Sequence, residues 1–364
     1  MRFLTVFLLF TAGLVGADTL LIKSIDAGRT WTDIDPGPGD RFLWWLKIDS
    51  RGSTLYALTQ RDLGEQWHLS VSTDNGQTWQ IRQSFPREIY RIVAAAAPGA
   101  PDTLYFAYRL HGYPQEKVMI AEVTDRGERM EQYRAEGLVI DRPQDGLGSS
   151  YASLVDLAAA PSAPSTVYAL ITNDYADDIY AFFQALWVSR DRGRNWERLA
   201  PPLATACAYP EMQIDPSDAS VYLACGNDLF KSMDGGASWT AKPFPDGQRL
   251  WSLQIGPGAR TVLYANQLGV IWKSIDGAET WQRLGTFPAT SDTRFLTPHP
   301  VDPSLIFTGT RDGIAKSEDG GDTWTAVTQS PLTAEYPLRL CIDPQAPDTF
   351  YLVNWMRRQV RLGP

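Results

Sequence analysis

Basic residues, histidine and cysteine are all scarce in this chain. Its 33 Lys and Arg are outnumbered by 42 Asp and Glu, and it has three histidines and three cysteines among 364 residues. The formal charge of −9 and a pI near 5.0 argue against nucleic acid as a partner, because phosphate backbones attract basic surfaces.

Three cysteines cannot all be paired within one chain. Cys207 and Cys225 flank a predicted strand pair, so they would form a disulfide in an oxidising compartment if their β-carbons face each other. Spacing alone leaves this open. Cys341 lies in an apolar strand and is expected to be a buried thiol.

The only long apolar run comes at the start of the chain. Arg2 precedes apolar residues 3–15, and Val15, Gly16 and Ala17 form a small-residue cleavage site. This pattern predicts a signal peptide over residues 1–17 and an exported chain, periplasmic or extracellular, from Asp18 onward. The run is too short for a comfortable membrane span, so no span is expected in the mature chain. No cysteine follows the cleavage site to carry a lipid anchor.

One eight-residue phrase recurs six times, with Ser first, Asp third and Trp eighth. The copies begin at Ser24, Ser72, Ser189, Ser232, Ser274 and Ser317. Gly is fifth in every copy except one, where Ala278 stands instead. A degraded seventh copy, at residues 123–130, keeps only Asp125 and Gly127.

The phrase has the chemistry of a turn between antiparallel strands. Ser and Asp side chains accept nearby backbone N–H groups, Gly adopts a positive φ, and Trp begins the next strand. A metal or catalytic role for the acids is the alternative, but no reaction needs six copies. We therefore expect no metal site and no cofactor, and we assign a structural role to Asp26, Asp74, Asp191, Asp234, Asp276 and Asp319.

The spacing of the phrase is typical of propeller blades. The last four aspartates lie 42 or 43 residues apart, and Asp125 divides the long interval between Asp74 and Asp191. A second phrase, a Pro or Gly turn before a β-rich run, recurs seven times. The sequence therefore predicts an all-β, seven-bladed β-propeller as a single domain over residues 18–364, expected to be a monomer.

At the N-terminal end, residues 20–31 contain the eight-residue phrase with no inner strands before it. At the C-terminal end, residues 338–353 contain inner strands with no such phrase after them. The simplest explanation is that N- and C-terminal strands share one blade, which would remove open sheet edges. Residues 20–23 and residues 359–362 compete for the third strand of that blade.

Two connections are longer than the others, at residues 133–151 and 171–186. The second contains Asp174, Asp177 and Asp178 and could be a ligand or calcium loop. A solvated surface excursion is the simpler interpretation.

The phrase S-x-D-x-G-x-x-W is similar to the Asp-box, or BNR repeat, of sialidases, sortilin-type receptors, xyloglucan hydrolases and photosystem II stability and assembly factors. The resemblance covers nearly the whole mature chain and implies the propeller fold, but that fold hosts enzymes, receptors and assembly factors. A single propeller after an export signal looks most like the assembly factors, since the xyloglucan hydrolases use two propellers. The Arg-Ile-Pro phrase of sialidases is absent, so no catalytic residue is transferred.

The resemblance implies that the Asp-boxes lie opposite the usual binding face. A site is then expected at the channel mouth, where the inner strands begin. Period-two alternation puts Asp156, Glu211 and Arg339 there, and charged groups within apolar strands need partners or water. The candidate binding residues are Trp45, Arg91, Arg249, Trp251, Arg294 and Arg339.

Two functions are compatible with these residues. The favoured hypothesis is a non-enzymatic propeller that binds a protein or polysaccharide through arginine and aromatic side chains at the channel mouth. The alternative is a glycoside hydrolase acting on an extracellular glycan, with Asp156 and Glu211 as its carboxylates.

Overall fold

The computed structural model describes residues 21–36, 42–49, 54–61, 65–97, 100, 102–110, 118–139, 150–175, 181–203, 210–244, 250, 252–256, 261–267, 270–285, 296–310, 313–327 and 337–354. Over these ranges the chain forms seven four-stranded antiparallel sheets, and the one helical element is the 3₁₀ turn Asp125–Gly127. Each sheet is one blade. The expected all-β, seven-bladed propeller is confirmed.

The strands follow one another regularly along the chain. Blade 7 receives β1 (Leu21–Ser24) and β2 (Thr32–Ile34). Blade 1 is β3 (Phe42–Ile48), β4 (Leu55–Gln60), β5 (Trp67–Ser72) and β6 (Gln80–Ser84); blade 2 is β7 (Ile89–Ala96), β8 (Leu104–Leu110), β9 (Val118–Thr124) and β10 (Arg129–Arg134). Blade 3 is β11 (Ser150–Ala160), β12 (Ala163–Tyr175), β13 (Ala181–Ser189) and β14 (Glu197–Leu199).

The remaining blades are shorter. Blade 4 is β15 (Glu211–Ile214), β16 (Val221–Cys225), β17 (Asp228–Ser232) and β18 (Thr240–Lys242); blade 5 is β19 (Ser252–Ile255), β20 (Leu263–Gln267), β21 (Val270–Ser274) and β22 (Gln282–Arg283). Blade 6 is β23 (Leu296–Pro298), β24 (Ile306–Thr310), β25 (Gly313–Ser317) and β26 (Thr325–Val327), and blade 7 adds β27 (Pro337–Ile342) and β28 (Phe350–Asn354).

Blade 7 combines strands from both ends of the described chain, in the order β2-β1-β28-β27. Strand β1 pairs antiparallel with β28, with Leu21 opposite Val353 and Ser24 opposite Phe350. Residues 21–24 therefore hold the third position of this sheet. Residues 359–362, the rival segment, lie outside the described residues.

The core lies between neighbouring blades and is built on the middle strands. These strands are buried on both faces, so they read as continuous apolar runs rather than as alternating ones. Five of the seven carry a tyrosine as their second residue, β12 has its equivalent tyrosine further along at Tyr168, and blade 6 has Phe307 at that place. The six tyrosines are 3 % exposed or less: Tyr56, Tyr105, Tyr168, Tyr222, Tyr264 and Tyr351.

Every complete Asp-box forms the same hydrogen-bonded turn between the third and fourth strands. In the first copy, Ser24 Oγ donates to Asp26 Oδ1 at 2.7 Å and accepts the Gly28 N–H at 2.8 Å. The carboxylate also accepts the Thr30 N–H and the Thr30 hydroxyl, at 2.8 and 2.6 Å. The structural role predicted for the aspartate is therefore supported by its contacts.

The seventh position of the Asp-box completes this network, and the sequence interpretation missed it. All six copies have a hydroxyl or amide side chain there, which donates to the aspartate Oδ2 at 2.5 or 2.6 Å. The signal was visible as a recurring polar residue before each Trp. These donors are Thr30, Thr78, Asn195, Ser238, Thr280 and Thr323.

The tryptophan closes the turn by donating its indole N–H to the fifth-position carbonyl in five copies, as Trp324 does to Gly321 at 3.0 Å. In the copy with Ala278, Trp281 donates instead to Pro243 O, at 3.0 Å. The departure from Gly at position five thus coincides with a changed indole contact.

The Asp-box turns also join neighbouring blades. A Cβ placed on Gly28, Gly193 or Gly236 would meet, respectively, Val327, Ile120 or Leu199 of the preceding blade. The degraded copy does the same, since Gly127 lies against Arg82 of blade 1. Loss of the Ser and Trp in that copy has therefore left the blade contact in place.

Lysine and tyrosine add hydrogen bonds across one of these joints. Lys23 Nζ and Tyr351 Oη, both in blade 7, donate to Asn75 O in the Asp-box of blade 1, at 2.8 and 3.3 Å. Lys23 Nζ also lies 5.6 Å from the centre of the Tyr351 ring. Blade 7 and blade 1 are thus held by the carbonyl that the turn exposes.

Blade 3 corrects one expectation. Most of the expected excursion at residues 171–186 is strand, because β12 and β13 continue their pairing with Asn173 opposite Phe182 and Asp174 opposite Ala181. Strand β11 extends alongside, with Ser150 opposite Tyr175. Aromatic and β-branched residues in this segment favour a strand, and the acids obscured that pattern.

We predict that Gly285→Ala will separate blades 5 and 6. A Cβ at this position would lie 1.7 Å from the backbone oxygen of Asp322 in the next Asp-box, which cannot move aside as a flexible side chain can. Overpacking of this kind costs about 1–3 kcal/mol or more. The measurement is the free energy of unfolding in denaturant.

Gly226→Ala is the control. Its new Cβ meets nothing within 4 Å, although φ is +59° and the substitution carries backbone strain. A loss for Gly285→Ala no larger than that for Gly226→Ala would contradict the close approach of the two blades.

Candidate binding site at the channel mouth

The inner strands place one side chain each at the same depth near the channel mouth, the end at which these strands begin. Strands alternate in direction across a blade, so the Asp-box after each third strand lies at the opposite end. The shared depth follows from the pairing with the middle strand, and the six residues are Trp45, Val93, Asp156, Glu211, Ser252 and Arg339. Phe295 of blade 6 lies outside the described residues.

β-Bulges mark this position in three blades. One extra residue precedes Trp45, Asp156 and Arg339, where the pairing shifts by one. Strand β7 has a bulge two residues earlier, between Ile89 and Arg91. A bulge re-aims the side chain that follows it. Counting every second residue from the mouth would therefore have misplaced these residues. Counting back from the turn that joins the inner and middle strands gives their observed depth.

The candidate binding residues differ in how they are placed. Arg339 is exposed. Trp45 is half-buried, and its ring lies edge-on to Phe106 of blade 2 with a centroid distance of 6.1 Å, so it packs between blades 1 and 2. The Arg91 side chain and all of Arg249, Trp251 and Arg294 lie outside the described residues.

Asp156 and Glu211 lie on β11 and β15, inner strands of neighbouring blades that contact each other. Asp156 Oδ1 accepts the Leu157 N–H at 2.8 Å. Glu211 Oε2 accepts the Leu253 N–H at 2.6 Å and so links blade 4 to blade 5. Each candidate carboxylate therefore already holds one backbone donor.

Both carboxylates are half-buried, and their desolvation makes them unusually basic. It raises the pKa of Asp156 to about 6, against a partial offset from the Leu157 N–H and the positive charge of Arg339. It raises the pKa of Glu211 to about 7, and the negative charge of Asp156 adds to that shift. The negative charge of Asp156 thus acts on Glu211, and the positive charge of Arg339 acts on Asp156.

Lys47 and Cys341 belong to the same channel; the sequence analysis missed Lys47 and placed Cys341 in an apolar strand without assigning it to the channel. They lie two residues beyond Trp45 and Arg339 on the same strand faces, so period-two counting would have found them. Lys47 is exposed although it lies between buried Leu46 and Ile48 in β3. Its pKa is lowered by desolvation, and the charge of Arg339 adds to the effect. A side chain that reaches water while protein surrounds it lines a channel.

No ion pair within 4 Å involves Lys47, Arg339, Asp156 or Glu211 in the part of the chain that the structure describes. Most salt bridges there lie instead at the outer strands and Asp-box turns, and Lys231 pairs with Asp218 in the turn between β15 and β16. The channel thus holds like charges as neighbours, which is costly unless water or a ligand compensates.

A disulfide lies close to the carboxylates. Cys225 is disulfide-bonded, and the residue before it, Ala224, is paired with Glu211. Cys207, its expected partner, lies outside the described residues. Cys341 is a free thiol as expected, but it is half-buried, because its strand face borders the channel.

The described residues offer no group of three His, Cys, Asp or Glu that could hold a metal ion. Of the acids in the calcium-loop alternative, Asp174 is part of β12, and Asp177 and Asp178 fall outside the described residues. Within the same described ranges, no helix has the length and apolar character needed to cross a bilayer.

Sequence comparison connects the chain to xyloglucanases at low identity. No family model matches. The xyloglucanase Xgh74A of Acetivibrio thermocellus is 29% identical over 203 residues, covering 50% of this chain and 20% of that protein. A xyloglucanase of Paenibacillus sp is 21% identical, covering 92% of this chain and 37% of that protein. The chain thus spans between about a fifth and two fifths of the length of these relatives.

Structural comparison supports the fold over nearly the whole chain. The structure of YCF48 bound to D1 peptide matches with a TM-score of 0.57 and 16% identity, covering 88% of this chain and 98% of that one. At such identity the likeness establishes the fold alone. The class defined by fold and comparison is the seven-bladed β-propeller.

We predict that Glu211→Gln will stabilise the protein at alkaline pH. The folded-state pKa of Glu211 lies above that of the unfolded chain, so its contribution to stability is present below about pH 4 and is lost as pH rises through about 7. Gln keeps an oxygen for the Leu253 N–H but carries no charge. The expected gain in unfolding free energy at pH 8 is at most about 3 kcal/mol, with little change at pH 4.

Thermal unfolding of both proteins between pH 4 and pH 8 measures this difference. The control is Glu88→Gln, at an exposed residue of the turn before β7, which should leave the pH dependence unchanged. If Glu211→Gln unfolded with the same pH dependence as the wild type, the burial of the carboxylate would be contradicted.

Proposed function

We propose that the protein is an exported, monomeric β-propeller that binds a protein or polysaccharide partner at its channel mouth without catalysing a reaction. Arg339 provides an exposed guanidinium at that mouth, and strand pairing places the carboxylates Asp156 and Glu211 at the same depth. Arginine is a common anchor at interfaces because it donates several hydrogen bonds in a fixed plane.

The observation that carries this proposal is the similar state of the two carboxylates. Glycoside hydrolysis needs one protonated acid and one ionised base or nucleophile, and enzymes achieve this by pushing two pKa values apart. Here burial raises both, to about 6 and about 7. One oxygen of each is also engaged by a backbone N–H. The two pKa values therefore do not separate an acid from a base, and the second oxygen of each carboxylate remains for contact with a partner.

Whole-chain similarity to a peptide-bound propeller agrees with this proposal. YCF48 was solved with a D1 peptide, and its propeller corresponds to this chain over nearly its full length. The correspondence offers a precedent for peptide binding by this fold, and our proposal extends that kind of activity to the present chain.

A glycoside hydrolase is the second candidate function. It is favoured by the xyloglucanase relatives and by the absence of ion pairs at Asp156 and Glu211 among the described residues. In that case these two residues would be the catalytic carboxylates.

A screen of purified wild-type protein and of Glu211→Gln against xyloglucan and a panel of other glycans distinguishes the two functions. We expect saturable binding to one partner class or none, and no release of reducing sugar by either protein. Turnover by the wild type that vanishes in Glu211→Gln would replace binding with catalysis.

Export is a separate part of the proposal, with a signal peptide at residues 1–17 and one propeller domain over residues 18–364. The disulfide at Cys225 supports it, because disulfides persist in oxidising compartments. N-terminal sequencing of the protein recovered from the periplasm or medium should begin near Asp18. Recovery of an uncleaved chain from the cytoplasm alone would contradict export.

A further inference from the structure

The charged groups of the channel are sorted by sign. Lys47 and Arg339 lie on β3 and β27, the inner strands of blades 1 and 7, which contact each other. Asp156 and Glu211 lie on the inner strands of blades 3 and 4, which also contact each other. In a ring of seven blades, these two neighbouring pairs face one another across the channel.

These two pairs form two walls of the channel, each with like charges as neighbours. Desolvation lowers the pKa of Lys47 and the charge of Arg339 adds to that effect, while burial raises the pKa of Glu211 with a smaller contribution from Asp156. Across the channel, Arg339 favours the ionised form of Asp156. Among the described residues, no opposite charge lies within ion-pair distance of any of the four, and a ligand group of opposite charge would be favoured beside each pair.

The arrangement distinguishes between kinds of ligand. When all four are ionised, these described groups carry two positive and two negative charges, so their combined net attraction for a simple anion or cation is small. A molecule with one charge of each sign can satisfy both walls at once. Protein walls of low dielectric strengthen both interactions relative to bulk water.

We propose that the channel binds a dipolar ligand, whose anionic group contacts Lys47 and Arg339 and whose cationic group contacts Asp156 and Glu211. This rests on the proposed binding function and defines the chemistry of the ligand. Arg339 suits a carboxylate or phosphate through paired N–H donors, whereas Lys47 contributes a point charge. The two carboxylates suit an ammonium or guanidinium group.

A series of linear amino acids provides the probe. 4-Aminobutyrate, 6-aminohexanoate and 8-aminooctanoate carry the same two charged groups at increasing separation, and hexane-1,6-diamine and adipate carry two charges of one sign. Isothermal titration calorimetry at pH 8 should show saturable binding that is strongest at one chain length. The diamine and the dicarboxylate should bind at least about tenfold more weakly than that amino acid.

Variants test which wall binds which group. Lys47→Met should weaken binding of the best amino acid at least about tenfold, whereas Lys316→Met, near the Asp-box of blade 6, should not change it. The double variant Lys47→Glu with Arg339→Glu should no longer bind the amino acid and should gain affinity for the diamine. Its melting curve is recorded first to show that it folds. If it does not fold, the length series and Lys47→Met decide the question.

Absence of binding by all three amino acids, or equal binding of the amino acid, diamine and dicarboxylate, would overturn the dipolar site. The proposed function would survive that result, since a large partner can bind through the rim alone. Conversely, glycan turnover with amino acid binding retained would overturn the non-catalytic part of the proposed function and leave the dipolar ligand site in place.

Discussion

A carboxylate that accepts several hydrogen bonds within one turn underlies the whole structure. In each complete Asp-box, the serine hydroxyl, a backbone N–H and the seventh-position side chain converge on one aspartate. The turn so formed holds its fifth residue against the preceding blade. Repetition of this local interaction positions the blades, and the large aromatic residues of the middle strands then fill the spaces between them.

The channel mouth is where the chain departs from its own repeat. Asp-box turns are nearly identical from blade to blade, whereas the equivalent inner-strand positions carry Trp45, Asp156, Glu211 or Arg339. β-Bulges precede three of these four residues. Uniform turns at one end of the propeller thus leave the other end free to vary, and that is the end at which we propose that a partner binds.

The fold could be predicted because its determinants are local. The Asp-box phrase contains its own hydrogen-bond partners within eight residues, so its recurrence gives the turns, and the spacing gives the blades. Counting back from the inner turn also placed Asp156 and Glu211 at equal depth. Which charged side chains lie beside or opposite one another could not be predicted, because this depends on strands that are far apart in sequence and border the same channel. Lys47 went unnoticed for that reason, although its period-two position was visible.

Strand extension in blade 3 shows a second limit. Asp174 and its neighbouring acids suggested a loop, but pairing between β12 and β13 continues past them. Tertiary pairing overrides local composition when both partner strands are long enough.

The aspartate network can be tested most directly by following the Asp-box carboxyl groups by ¹³C NMR from pH 5 to pH 2, together with thermal unfolding. Hydrogen bonds from Thr78, Ser238 and Thr280 hold the pKa of Asp74, Asp234 and Asp276 at about 2. A lowered folded-state pKa contributes stability above about pH 4 that is lost as pH falls toward 2. The account predicts carboxyls still ionised at pH 3 and a melting temperature that falls across this window. Ordinary titration near pH 4, with no accompanying loss of stability, would contradict it.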